Sequence, residues 1–240
     1  MNTTEQQWGP WKLALRVIDE PAEVFKQLAA RRTSWVPIVL LVVITGVAAF
    51  GMPAGPIQEA TRAQMESAQQ RSPDRITDEM VEERVEGVAS PRGRAIIAVS
   101  QIVFYLIAFV VVAATLMLIF GAMGSEPIKF REEFAIVTYA FVPQLAGFIL
   151  ILLLARFAGF EELTLSLGFL FDAEASPFLS NLGTQFTLFG AWNMVLLALG
   201  NQIKTGAKSL GGPLMVVGGL WVVMNLLFAG LATAFAGLAG

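Results

Sequence analysis

Apolar and polar positions along this chain are sorted into long blocks rather than alternating residue by residue. Apolar runs cover about 35–50, 95–120, 134–154, 183–200 and 213–235, and charged residues collect between them. A helix needs about 20 apolar residues to cross the hydrocarbon core of a bilayer. The pattern therefore predicts an all-α, polytopic integral membrane protein, built as a five-helix transmembrane bundle over 35–240. Trp35 stands where an interfacial anchor is expected. The first run is short and ends at Gly51, Pro53, Gly55 and Pro56.

The segments between the runs carry weaker patterns. Residues 1–34 read as a cytoplasmic, amphipathic N-terminal segment. Trp11, Leu15 and Ile18 share one helical face, with Lys12, Arg16 and Asp19 elsewhere. Pro21 suits the first turn of a second helix. That helix would bury Val24, Phe25 and Leu28 and end at Arg31 and Arg32. Two short helices on the membrane face are expected, packed under the bundle or offered as a docking surface.

The stretch 57–94 reads as an extramembrane helical insert. Ser72-Pro73-Asp74 breaks it and Thr77 N-caps its second helix. The stretch 156–182 is apolar at Phe160, Leu163, Leu165, Leu167, Phe169, Leu170 and Phe171. Asp172, Glu174 and Pro177 follow, so it is too interrupted to span. A re-entrant or surface-lying segment is expected.

The third run is entered through Phe130, Arg131, Glu132 and Glu133, continues through Phe134, and holds Tyr139, Pro143 and Gln144. Pro143 has no N–H for the Tyr139 carbonyl, which predicts a local kink. Trp192 and Asn193 lie mid-way along the fourth run, and Asn201, Gln202, Lys204 and Lys208 read as a polar loop after it. In the fifth run Asn225, Ala229 and Thr233 recur every four residues beside Gly230, Ala234 and Gly237. Such small-residue seams let helices approach closely.

Composition narrows the chemistry. The chain is 55% hydrophobic and 15% charged, with net charge −3, so nucleic acid is not an expected partner. It has no Cys and no His, which removes thiol chemistry and the commonest general base and metal ligand. Asp19, Asp74, Asp78 and Asp172 all fall outside the apolar runs, so no intramembrane aspartate pair exists. No catalytic residue, metal or cofactor is expected. The first apolar run begins far from Met1, so no cleaved signal peptide is expected either. Lys26, Arg31 and Arg32 favour a cytoplasmic N-terminus, while Arg84, Arg92 and Arg94 oppose it.

The order of landmarks resembles the Yip domain family, whose founding members interact with Ypt/Rab GTPases. The residues that carry the resemblance are Asp19-Glu20-Pro21 with Val24-Phe25, Trp35-Val36-Pro37, Phe130, Phe134, Tyr139-Ala140 and Pro143. Trp192, Leu199-Gly200, Lys204 and Lys208 complete the series. The resemblance implies five spans, an N-terminus in the cytoplasm and a C-terminus on the opposite side. The short region before the first span is similar to the bacterial branch of the family, which implies the bacterial cytoplasmic (inner) membrane.

Two roles follow as expectations. One is a non-catalytic adaptor or organiser that binds other membrane proteins, a second copy of itself, or the lipid bilayer. The other is a carrier for a lipid or small solute, with Tyr139, Gln144, Asn193 and Asn225 along its path. Phe130 to Glu133, Lys204 and Lys208 are expected to be ordinary solvated loop residues. The alternative is an interaction surface where they and the N-terminal helices meet.

Overall fold

The computed structural model describes residues 7–31, 33–71, 75–123, 127–157, 166–170 and 177–238. Its helices in chain order are α1 (Pro10–Arg16), α2 (Pro21–Arg31), α3 (Trp35–Gly51), α4 (Ala54–Arg71), α5 (Asp78–Ala89) and α6 (Pro91–Met123). They continue with α7 (Phe130–Ala140), α8 (Val142–Phe157), a 3-10 turn at Leu167–Leu170, α9 (Pro177–Gln185), α10 (Leu188–Thr205) and α11 (Gly211–Leu238). Among the described residues every regular element is helical, and β pairing is limited to an isolated bridge between Ser166 and Thr187.

Among the described residues, two helices are long and apolar enough to cross a membrane: α6, and the α7–α8 stretch Phe130–Leu154. A third span exists if α3 and α4, bent by 87° at their junction, count as one. Gly211–Leu227 of α11 is a shorter apolar helix. The protein is thus an all-helical membrane protein with two to three candidate spans.

The chain divides into two compact units. One comprises 1–42, 104–147 and 188–223, the other 43–103, 148–187 and 224–240. In the first unit α2 packs on α7 and α10, and α7 on α10. The core is formed by Leu13 of α1 and Val17 just after it, Val24, Phe25 and Leu28 of α2, and Tyr139, Leu145 and Leu196 of α7, α8 and α10. Phe141, the single residue between α7 and α8, packs its ring 4.9 Å from Phe109 and 5.0 Å from Tyr105. The break falls two residues before Pro143, whose missing N–H leaves the Tyr139 carbonyl without its usual donor.

The second unit contains the paired helices α4 and α5. Arg62 holds Glu82 through two hydrogen bonds of 2.6 and 2.9 Å, and Gln69 donates to Asp78 at 2.7 Å. Thr77 N-caps α5, accepting from Met80 N–H at 3.3 Å. Arg94 Nη1 donates to the carbonyls of Ala49, Phe50 and Met52, at 3.1, 3.4 and 2.8 Å. These are orphan acceptors at the end of α3.

The face shared by Trp11, Leu15 and Ile18 is outward, with Leu15 73% exposed. Leu13, Ala14 and Val17 are buried instead. A helix this short has apolar residues on both sides, and packing selects the side. Glu132 and Glu133 are not solvated loop charges, because α7 begins at Phe130 and both carboxylates are buried. The polar residues Asn201 and Lys204 lie within α10, which continues to Thr205, and not in a loop.

Part of the expected organisation lies outside the described residues. This applies to Arg32, Ser72-Pro73-Asp74, the 158–165 and 171–176 parts of the apolar segment with Phe160, Leu163, Leu165, Phe171, Asp172 and Glu174, and the side chains of Phe169, Thr233, Ala234 and Gly237. Within that apolar segment, Leu167 and Leu170 are exposed.

Candidate functional site

The densest set of buried polar groups sits where the first turn of α7 meets the last turns of α10. Two acidic residues in the first turn of α7 are favoured by the positive end of the helix dipole, and a lysine in the last turn of α10 by the negative end. The two ends lie together. Lys204 Nζ is 2.6 Å from Glu132 Oε2. Glu132 Oε2 also accepts from the Lys129 backbone N–H at 3.4 Å, the reach-back of an N3 residue to its N-cap.

Glu133, the next residue, is wholly buried. Its Oε1 accepts a 2.9 Å hydrogen bond from Asn201 Nδ2, which also donates to the Leu197 carbonyl at 3.0 Å. Glu133 Oε2 and Asn201 Oδ1 have no hydrogen-bond partner. An orphaned buried oxygen costs about 1–3 kcal/mol, so this pair is held in place by its surroundings.

Those surroundings come from α2. Gly200, one residue before Asn201, lets three helices converge. A Cβ there would lie 2.5 Å from Ile136 Cγ2 and 3.2 Å from the Phe25 ring. One turn deeper along α7, Thr138 and Tyr139 are wholly buried. Thr138 returns its hydroxyl to the Ala135 carbonyl at 3.1 Å, and Tyr139 Oη donates to the Pro10 carbonyl at 3.2 Å. The Trp8 backbone N–H donates to Gln27 Oε1 at 2.9 Å, tying the start of α1 to α2.

Chemically, the arrangement is a clamp between helix ends. Its carboxylates face a lysine and an amide. Among the described residues no cluster of three His, Cys, Asp or Glu side chains could hold a metal ion.

Several sequence-predicted residues meet here or close by. Phe25 contacts the Gly200 position, Lys204 pairs with Glu132, and Tyr139 reaches Pro10. Pro21 is half-buried, and Pro37 is buried in the first turn of α3. Trp35 is exposed, with its ring edge-on to Trp11 at 5.6 Å. Phe130 stacks on Phe134 at 5.7 Å, Phe130 being exposed and Phe134 half-buried. Lys208 is exposed. Pro143 and Trp192 line a common apolar groove with Ile18, Ala146, Leu188 and Phe189. Asn225 is buried in the other compact unit, so the expected polar path is not one site within either unit.

Sequence reasoning missed Gly200 and Asn201 as the centre of the clamp. The signal was present as two adjacent carboxylates opening one helix and Asn201 and Lys204, three residues apart, closing another.

The Yip1 domain family model matches residues 15–236. No curated protein and no solved structure matches the chain at a significant level.

Proposed function

Because the chain belongs to the Yip1 domain family, we propose that it is a non-catalytic organiser that binds other membrane proteins from the α7–α10 end. In this reading the chain crosses the bacterial cytoplasmic membrane five times, with the N-terminus inside. Residues 35–50, 95–120, 134–154, 183–200 and 213–235 make the crossings.

The observation that carries the reading is the clamp itself. Glu132, Glu133, Asn201 and Lys204 are engaged with one another. They make a fixed platform, beside which Phe130, Arg131 and Lys208 remain exposed. Exposed aromatic and arginine side chains on a rigid base suit a protein partner. The carrier reading has less support, since Tyr139 is enclosed and its hydroxyl is committed to Pro10.

The test is isolation in polymer nanodiscs with the native membrane attached, followed by mass spectrometry of what co-purifies. The wild type is compared with an Arg131→Glu/Lys208→Glu variant. A recurrent membrane protein, or a second copy of this chain, that is lost from the variant at unchanged melting temperature is expected. The same protein complement from both forms would overturn the placement of the surface.

A further inference from the structure

The clamp uses none of the apolar surface around the end of α1. That surface is continuous. Trp11, Leu15 and Ile18 run along the outward side of the first helix and the turn after it, each at least 46% exposed. At one end Trp11 meets Trp35 edge-on, and α3 continues outward through Val39 and Val42, both exposed. At the other end Ile18 forms one wall of the groove with Pro143, Ala146, Leu188, Phe189 and Trp192. Leu188 and Trp192 are themselves exposed at its rim.

We propose that this groove holds part of one acyl chain of a bilayer phospholipid, with α1 lying over it in the plane of the membrane interface. The lining residues are all apolar, and the groove, open to the outside, has a volume of about 320 Å³. A methylene is comparable in size with a water molecule, whose share of liquid volume is about 30 Å³. The space therefore suits a run of methylenes and is too small for a helix, which is about 10 Å across.

A non-helical polypeptide is a poor occupant for a second reason. Its N–H and C=O groups would find no partner in such a wall, at a cost of several kcal/mol each inside a membrane. An acyl chain has no such groups. The charges next to the groove also fit an interfacial position. Arg16 bonds Asp19 and Glu20 at 2.6 and 2.9 Å, close to Ile18 in sequence and with their side chains in contact with solvent, as charges among headgroups would be. Trp8, with Lys12 Nζ 4.8 Å over its ring, and Trp11 make the aromatic-and-cationic margin usual for such helices.

The proposal rests on the membrane placement above and not on any protein partner, so the two readings fail separately. It is tested with Trp192 as the only tryptophan, after Trp8, Trp11, Trp35 and Trp221 are changed to Phe. That protein, in detergent micelles, is titrated with phosphatidylcholine brominated at mid-chain, and Trp192 fluorescence is followed. Saturable quenching is expected, with a single lipid per chain at saturation. Ala146→Phe fills the groove from its floor and should abolish the saturable component. Ile18→Asn, outside the long apolar helices, should weaken it and serves as the second variant if Ala146→Phe lowers the melting temperature. Quenching that rises in proportion to the brominated lipid without saturating, and that neither variant alters, would show ordinary boundary lipid and overturn the proposal.

Discussion

The Tyr139 hydroxyl, near the C-terminal end of α7, donates a 3.2 Å hydrogen bond to the carbonyl of Pro10, 129 residues earlier in the chain. The N-terminal helix is thereby fastened to an apolar helix through a part-buried bond. Tyr139→Phe removes this bond and little else. It should cost about 1 kcal/mol and loosen α1 selectively. Tyr139→Ala also empties a fully buried ring site and should cost about 3–5 kcal/mol. Pro143→Ala, at the groove wall, should lower stability by less than Tyr139→Ala. Thermal unfolding in nanodiscs checks the order. Wild-type melting temperatures in Tyr139→Ala and Pro143→Ala, with partner capture lost, would make these residues a direct contact site instead.

Glu133 and Asn201 share one hydrogen bond and leave one oxygen each unpaired. Glu133→Gln keeps the acceptor for Asn201 Nδ2 and supplies an N–H for Asn201 Oδ1. It should be as stable as the wild type or more so. Glu133→Leu strands the Asn201 amide, at about 1–3 kcal/mol. Asn201→Asp sets two buried carboxylates face to face and should be the least stable of the three. Denaturation midpoints that placed Glu133→Gln below Glu133→Leu would contradict this geometry.

Two glycines inside helices should respond to alanine with opposite sign. Gly46 of α3 has nothing within 4 Å of an added Cβ, so Gly46→Ala should stabilise by up to about 1 kcal/mol through helix propensity. Gly200→Ala gains the same propensity but drives a methyl into Ile136 and Phe25. Overpacking of this kind costs about 1–3 kcal/mol. Paired melting curves decide the matter, and equal shifts would mean that α2 does not press on α10 as described.

The α4–α5 pair should respond to acid and to salt. Hydrogen bonds from Arg62 hold the Glu82 carboxyl below the usual glutamate range. A group lowered in the folded state stabilises at pH above its unfolded value, and the contribution is lost as pH falls through the lowered one. Both side chains are exposed, so salt screens the pair. Amide protection factors in α4 and α5, referenced to the intrinsic exchange rate at each pH, should fall on acidification below the ordinary glutamate range, and Glu82→Gln should remove that part of the response. An identical acid response in Glu82→Gln would assign it to other carboxylates.

The parts of this fold legible in the sequence are those set by local pattern. The apolar runs at 95–120 and 134–154 fall within α6 and the α7–α8 stretch. Thr77 is read correctly as a cap because capping is a local hydrogen bond. What was not legible depends on partners far along the chain. Asn201 and Lys204 look like loop residues until Glu133 and Glu132, about 70 positions earlier, are placed beside them. The inward side of α1 could not be chosen from its own residues, because Trp11 and Leu15 are as apolar as Leu13 and Val17. The family resemblance was legible from ordered landmarks, while the site within it, at Gly200 and Asn201, was hidden by its small and polar residue types.

The proposed partner surface requires an N-terminal segment folded onto α7 and α10 as a working part of the protein. Hydrogen–deuterium exchange of the full chain in lipid nanodiscs, followed in peptides from α1 and α2, tests this most directly. The prediction is slow exchange in both helices, approaching that of α10, with α1 quickening in Tyr139→Phe while α10 does not. Complete exchange of 10–31 at the rate of an unstructured peptide would contradict the docked N-terminus, and with it the platform on which the proposed partner surface depends.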